Sequence, residues 1–302
     1  PRGLRPPFHP GREGLGTFRS GSRGFKKNAE SPPRQTLEGT RGRPRFSRPG
    51  KAPSPAPGPD SKGGVDPARD YREVEEHLAE LIARCADKMG TGLSAIDAVE
   101  WAVAELEASG LYVAGRGSAP NDRGFVECDA AIMDGASGKA GGVCALQDIA
   151  SPVRAARLVL DQTPFLLLAG EGARQFALNN GCASVGDPAA HYRLPVGVEA
   201  DDLSQLDPGL VHGTIGAVAL DGNGRLAAAT STGGLLGKQA GRVGDTPITG
   251  IGNWADSRVA ISCTGIGESF IQAGGARDVT ARMAYGGETL EQAAAGMLNA
   301  VA

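Results

Sequence analysis

Two threonines stand at the ends of a predicted hairpin, and a threonine hydroxyl can act as a nucleophile when a base lies close to it. The hairpin lies in VHGTIGAVALDGNGRLAAATSTGG, residues 211–234, and its turn is DGNG, residues 221–224. Such turn residues tolerate the positive φ angles that tight hairpins require. A three-residue loop places Thr214 opposite Thr232, and a two-residue loop places it opposite Ser231. Either register brings hydroxyls together at the open end of the hairpin.

The residues before Thr214 suggest how its hydroxyl could be activated. Threonine pairs across strands are common and usually structural, so the pair alone does not indicate catalysis. However, Gly213 precedes Thr214, and the irregular, acidic residues 183–211 predict an exposed connector before it. A cut between Gly213 and Thr214 would free an α-amine of pKa about 8, which can serve as the general base. Glycine before the cut permits strained backbone and close attack on its carbonyl.

The elements that must position these threonines follow the order helices, strands, strands, helices, which favours a layered α+β domain. Residues 71–90 show apolar spacing typical of a helix, with Val74, Leu78, Leu81 and Ile82 on one side. Ser94 caps a second predicted helix, and Ser151-Pro152 opens a third. Strand-like runs are FVECDAAIMDG, AGGVCALQDI, the buried-type FLLLAG, TIGAVAL, RLAAATS and RVAISCTG. Their many Ala and Gly residues predict two closely packed sheets.

Several longer motifs occur along the chain in a single order. They are SAIDAVEWAVAELE, AGRGSAPNDRGFVECDAAIMDG, IASPVRAARLVL, HGTIGAVALDGNGRLAAATSTGG, GRVGDTPITGIGNWAD and AISCTGIGESF. From about residue 62 onward, the chain resembles the plant-type asparaginase/isoaspartyl peptidase family of N-terminal-nucleophile hydrolases. The resemblance implies a four-layer αββα sandwich that hydrolyses L-asparagine and β-aspartyl (isoaspartyl) dipeptides. It also implies self-cleavage between Gly213 and Thr214, into a 62–213 part and a 214–302 part.

The resemblance implies a role for each residue at the reacting bond. Thr214 becomes the nucleophile, and Thr232 hydrogen-bonds and tunes it. Thr264 and Gly265, in CTGIG, line the oxyanion hole and hold the substrate amide region. Preorganised donors there stabilise a tetrahedral intermediate. An ordinary hydroxyl at a strand end is the alternative interpretation of Thr264.

Further residues match a substrate clamp. Arg242 and Asp245, in GRVGD, match the groups that hold the α-carboxylate and the α-ammonium. A local salt bridge within the loop is the alternative interpretation of this pair. Gly267 contacts the substrate through its backbone. Because related glycosylasparaginases and threonine aspartases usually carry Asp before the nucleophile, Gly213 favours the asparaginase/isoaspartyl peptidase branch.

The resemblance also implies assembly as a dimer of cleaved αβ units, no cofactor, and a structural sodium held by the backbone of the 106–115 loop. Three departures from the family pattern stand beside it. Many relatives carry Asn at the position of Val113. The Pro-rich residues 52–71 replace an apolar first strand, and the chain stops at Ala302. We therefore expect a scaffold that lacks its first and last strands, with the site motifs complete.

Composition bounds the remaining interpretations. Residues 1–52 hold thirteen Lys and Arg against three Asp and Glu, although the net charge of the whole chain is −3. The first 61 residues are rich in Pro, Gly and Arg, which predicts a disordered tail or sequence that is not native coding sequence. The tail lacks the central apolar run of a secretory signal, no nucleic-acid module follows it, and no run of about 18 apolar residues occurs in the sequence. Five scattered cysteines without metal spacing favour reduced thiols in the cytoplasm.

Two further hypotheses compete with the hydrolase. One is an inactive or truncated remnant of the family, whose basic tail binds anionic partners. The other is a non-processing structural paralogue, which would remain a single uncut chain.

Overall fold

The computed structural model describes residues 70–196, residue 198 and residues 213–301. The predicted tail over residues 1–61 lies outside the described residues, and so does the part of the predicted connector from 199 to 211. The connector residues that are described are not wholly irregular. They include a β-bridge from Ser184 to Ile149 and a short helix, α5.

Helices precede, separate and follow the strands along the chain. The helices are α1 (Arg72–Gly90), α2 (Ala95–Ser109), α3 (Pro152–Gln162), α4 (Gly170–Asn179), α5 (Pro188–His191), α6 (Gly267–Ala273), α7 (Gly275–Ala281) and α8 (Leu290–Val301). The strands are β1 (Cys128–Asp134), β2 (Ala140–Leu146), β3 (Leu167–Ala169), β4 (Ile215–Leu220), β5 (Leu226–Thr232), β6 (Asn253–Ala255) and β7 (Ala260–Ser262). A 3-10 turn covers Gly115–Gly117, and a π-helical turn covers Arg282–Gly286.

The described elements stack in four layers. Strands β1 to β5 form a five-stranded sheet in the order β3-β2-β1-β5-β4, and β6 pairs with β7 in a second sheet. Helices α2 and α3 pack on one face of the larger sheet, and the smaller sheet packs on the other face. Helices α6 to α8 cover the smaller sheet through a separate apolar cluster that includes Phe270, Val279 and Met297. The predicted α+β sandwich is confirmed.

Small residues let the two sheets approach closely. Strand β5 lies between β1 and β4, and its residues 227–232 are all buried. A Cβ atom at Gly216 of β4 would overlap the side chain of Ser262 on β7. At this position only a glycine lets the two sheets approach as closely as they do.

The β4–β5 hairpin adopts the register of the three-residue loop. Leu220 pairs with Leu226 and Ile215 pairs with Ser231, so Thr214 stands opposite Thr232. The Asp221 amide donates to the Arg225 carbonyl over 3.0 Å. Gly224 closes the loop at a φ of 74°, in the left-handed region that favours glycine. Ser94 also caps α2 as predicted, since its hydroxyl accepts the Asp97 amide.

Two details of the sequence prediction are wrong. FLLLAG is not a buried strand, because only Leu167–Ala169 pair, at the sheet edge, and the side chain of Phe165 is exposed. The buried residues of α1 are Leu81, Cys85 and Met89, and only Leu81 belongs to the predicted apolar side. Leu78 and Ile82 are partly exposed, because they line an open apolar groove between α1 and β4.

No helix in the described part of the chain is long and apolar enough to cross a bilayer. All five cysteines fall within the described residues, and all five are free thiols.

Candidate active site

The hairpin register places the Thr232 hydroxyl beside the peptide bond between Gly213 and Thr214, which is the predicted cleavage site. Thr232 is the last residue of β5, and Thr214 immediately precedes β4. The Thr232 hydroxyl donates to the Gly213 carbonyl oxygen over 2.6 Å and accepts the Gly234 amide over 3.0 Å. A hydrogen bond to this oxygen polarises the carbonyl and stabilises negative charge that develops there. Gly213, Thr214 and Thr232 are called the reaction end below.

Val113 packs directly against the reaction end. A Cβ atom at Gly213 would lie 2.9 Å from Cγ2 of Val113 and 3.0 Å from its Cβ. The Val113 carbonyl accepts the Gly233 amide over 2.8 Å, which ties this loop to the residue that follows Thr232. A β-branched side chain such as valine is stiff at χ1. Glycine is therefore the residue that fits before Thr214.

A narrow cleft opens beside the reaction end. Seven of the predicted site residues line it: Gly213, Thr214, Thr232, Arg242, Asp245, Gly265 and Gly267. The sequence analysis missed four others that also line it: Gly234, Leu235, Gly244 and Thr246. Thr264 is not among the lining residues, and its side chain is exposed beside Gly265. Its predicted role stays a prediction.

Arg242 reaches the cleft while it is held by a neighbouring helix. Its Nε and Nη2 atoms donate to the two carboxylate oxygens of Glu268 over 2.9 and 2.7 Å. Glu268 stands in the first turn of α6. Within the described residues, the ion pair of Arg242 is therefore with Glu268 and not with Asp245. The two-point contact fixes the plane of the guanidinium and leaves the Nη1 side for another carboxylate.

Asp245 is a buried carboxyl group that faces the cleft. It is 4% exposed, and its Oδ2 atom has no hydrogen-bond partner within the described residues. Burial, aided by the nearby carboxylates of Asp129 and Glu268, raises the pKa of Asp245 to about 6 against the opposing charge of Arg242. A charged donor in the cleft would satisfy this oxygen. Arg242, Asp245 and Gly267 are called the clamp end below.

Two glycines allow backbone to approach this end of the cleft. A Cβ atom at Gly267 would lie 2.9 Å from the amide nitrogen and from Oδ1 of Asp245. Gly265 has a φ of 146°, and a Cβ atom there would lie 2.8 Å from the Phe270 ring. Side chains at either position would displace these neighbours. The structure thus gives a packing reason for both predicted glycines.

Two buried carboxyl groups that the sequence analysis missed lie beside the reaction end. Asp129 of β1 pairs in register with Thr232, is fully buried, and accepts the Ala145 amide over 2.8 Å. Glu107 of α2 accepts the Ser231 hydroxyl over 2.7 Å, and burial raises the pKa of Glu107 to about 7. Nothing in the spacing of these residues predicts their burial, because α2 and β5 meet only in the tertiary fold.

Metal binding was expected only at the backbone of the 106–115 loop. The described residues contain no group of three or more His, Cys, Asp and Glu side chains that could hold a metal ion. Protein donors engage several carbonyls of the loop, including Ser109 by the Arg193 side chain and Leu111 by the Val196 amide. A carbonyl oxygen has two lone pairs, so each of these hydrogen-bonded carbonyls keeps one lone pair with which it could bind a cation. The sodium site stays a prediction.

Comparison with known proteins places this site in context. The family model described as Asparaginase matches residues 62–302. The isoaspartyl peptidase of Salmonella typhimurium is 42% identical over 228 residues, which cover 72% of this chain and 73% of that protein. The isoaspartyl peptidase/L-asparaginase of Bos taurus is 44% identical over 233 residues, covering 74% and 75%. A probable isoaspartyl peptidase/L-asparaginase of Arabidopsis thaliana is 37% identical over 263 residues, covering 76% and 81%.

Proposed function

The chain belongs to the asparaginase family, and on that premise we propose that it cleaves itself after Gly213 and then hydrolyses L-asparagine and β-aspartyl dipeptides. The observation that carries the proposal is the 2.6 Å hydrogen bond from the Thr232 hydroxyl to the Gly213 carbonyl. This hydrogen bond polarises the carbonyl of the peptide bond between Gly213 and Thr214, and the neighbouring Thr214 hydroxyl is the proposed attacking group. The names of the relatives support both substrate classes.

Self-cleavage uses the residues of the reaction end. The Thr214 oxygen adds to the Gly213 carbonyl carbon, and the Thr232 hydroxyl stabilises the negative oxygen that forms. Collapse breaks the bond between the Gly213 carbonyl carbon and the Thr214 nitrogen, and this nitrogen takes up the proton that the Thr214 hydroxyl gives up, which leaves an ester and a free amine. Water then hydrolyses the ester. The products are a carboxylate at Gly213 and a new amino terminus at Thr214.

Substrate hydrolysis repeats this chemistry on an external amide. The free amine of Thr214 takes the proton of its own hydroxyl as the oxygen attacks the side-chain carbonyl of the substrate. The proton passes to the leaving ammonia or peptide amine, and a β-aspartyl ester of Thr214 remains. Water releases aspartate and restores the hydroxyl. Thr264 and Gly265 are proposed to hold the oxyanion.

The clamp end is proposed to recognise the aspartyl part of the substrate. Arg242 offers its remaining N–H groups to the α-carboxylate, and Asp245 offers its unpartnered Oδ2 to the α-ammonium. Gly267 contributes backbone contact. Both substrate classes carry this α-carboxylate and α-ammonium, and they differ only in the leaving group. One cleft can therefore serve both.

The proposal extends to the setting of the reaction. It needs no cofactor, since the nucleophile and the base belong to one residue. We place the enzyme in the cytoplasm as a dimer of cleaved αβ units, with a sodium ion at the 106–115 loop as a structural element. We propose neither a membrane nor a nucleic acid as a partner.

Intact mass of the purified full chain tests the proposal. Wild type incubated at neutral pH should yield two fragments, one ending at Gly213 and one beginning at Thr214, and should release ammonia from L-asparagine. Thr214→Ala should remain one chain without activity, and Thr214→Ser should still cleave. An uncut and inactive wild type would contradict the proposal and favour the remnant hypothesis.

A further inference from the structure

Thr246 is a buried polar residue of the cleft that the roles above do not use. It follows Asp245 directly and lines the same cleft as Thr214 and Arg242. The residue is 1% exposed, and its hydroxyl oxygen has no hydrogen-bond partner within the described residues. Leaving a buried hydroxyl unpaired is costly. The hydroxyl is therefore suited to a polar group that a ligand brings into the cleft.

The charged groups around Thr246 indicate which polar group of a ligand would bind its hydroxyl. Glu268 occupies the Nε and Nη2 edge of Arg242, and the guanidinium retains further N–H groups for one carboxylate. An ammonium presents three N–H donors. On the acceptor side, the cleft offers Oδ2 of Asp245 and, next to it in sequence, the Thr246 hydroxyl, both unpartnered within the described residues. Both oxygens can accept a hydrogen bond from an ammonium, whereas the Asp245 carboxylate would repel a second carboxylate at this place.

We infer that Thr246 is a further substrate-binding residue, whose hydroxyl oxygen accepts a hydrogen bond from the α-ammonium of the substrate beside Asp245. This inference rests on the proposed hydrolysis of asparagine and β-aspartyl dipeptides. It assigns recognition of the α-ammonium to two residues rather than one. Substrates that lack an α-amino group lose both contacts, which gives the site its selectivity for amino acid amides.

The test compares Thr246→Val, which keeps the shape and removes the hydroxyl, with Thr246→Ser, which keeps the hydroxyl. For L-asparagine, Thr246→Val should raise KM about 10-fold, as expected for loss of a hydrogen bond to a charged group, with kcat changed less than twofold. Thr246→Ser should restore KM. Self-cleavage, followed by intact mass, should stay at the wild-type rate, because that reaction involves no substrate ammonium.

Two inhibitors separate the ends of the substrate. Succinamate lacks the α-ammonium, and 3-aminopropanamide lacks the α-carboxylate. Thr246→Val should weaken competitive inhibition by 3-aminopropanamide about 10-fold and leave inhibition by succinamate unchanged. The reverse pattern, or equal weakening of both inhibitors, would overturn the inference.

Thr280→Val serves as the matched control. Thr280 is also fully buried, but it lies in α7, and its hydroxyl donates to the Ala276 carbonyl over 3.3 Å. This variant should change neither inhibition constant. An active wild type with an unchanged KM in Thr246→Val overturns the inference alone. An inactive wild type overturns the proposed function and the inference with it.

Discussion

The two ends of the cleft are built in different ways. The reaction end lies on a single hairpin, where the β4–β5 ladder fixes Thr214 opposite Thr232. The clamp end comes from residues outside the strands, and Glu268 and the close approach of Gly267 hold it in place. Strand register thus places the groups that break bonds, and tertiary packing places the groups that select the substrate. Mutations at the reaction end should therefore lower the reaction rate, and mutations at the clamp end should weaken substrate binding.

The largest effect should come from the reaction end. Thr232→Val removes the donor to the Gly213 carbonyl and should slow self-cleavage at least about 100-fold, as loss of one oxyanion donor does. Thr232→Ser keeps the hydroxyl and should cleave at a rate near that of wild type. Intact mass against time measures both rates. Cleavage of Thr232→Val at the wild-type rate would show that this hydrogen bond plays no part in the reaction.

The pH dependence of KM should report on the clamp end, and the pH dependence of kcat should report on the reaction end of the same enzyme. The pKa of Asp245 is raised to about 6, so the carboxyl becomes neutral below that pH and no longer attracts the α-ammonium. KM for L-asparagine should then rise about tenfold for each pH unit below 6. The free amine of Thr214 has an ordinary pKa of about 8, so kcat should fall in a separate step as that amine gains its proton.

Initial rates from pH 4.5 to 9 measure both limbs. Asp245→Asn should abolish the rise of KM below pH 6 and should keep the fall of kcat as the Thr214 amine is protonated. A KM that stays flat between pH 4.5 and 7 in wild type would exclude Asp245 as the partner of the ammonium.

A smaller effect should follow from crowding the clamp end. Gly267→Ala places a methyl group against the amide and Oδ1 of Asp245, and overpacking of this kind costs about 1 kcal/mol or more. KM should rise about fivefold, with self-cleavage unchanged. Gly172→Ala is the matched control, because Gly172 also lies in the first turn of a helix and a Cβ atom there meets nothing within 4 Å. Slower self-cleavage in Gly267→Ala would show that the two ends are coupled.

The same division explains what the sequence could predict. The DGNG turn and the spacing of two threonines are local features, so the hairpin and the position of Thr232 follow from them, and the layered fold follows from the order of the predicted helices and strands. Thr246 lies inside the motif GRVGDTPITGIGNWAD, yet its burial depends on the surrounding fold. The salt bridge to Asp245, the alternative interpretation of Arg242, is replaced by one to Glu268, which approaches from a helix 26 residues away in sequence. Contacts between distant segments carry no local signal.

The edge strand β3 shows the same limit. FLLLAG is as apolar as a central strand, and apolar content alone does not distinguish the edge of a sheet from its centre. Only the strand order places it at the edge, beside β2.

The strand order has a consequence for the cut chain. Strands β1, β2 and β3 precede Gly213 and strands β4 and β5 follow it, so both fragments would contribute to one continuous sheet. Six residue pairs between β1 and β5 would join them. Cleavage of the backbone would therefore create two polypeptides that stay associated in one folded unit. The fragments should travel together through a sizing column and separate only in denaturant, so that maturation does not change the size of the native particle.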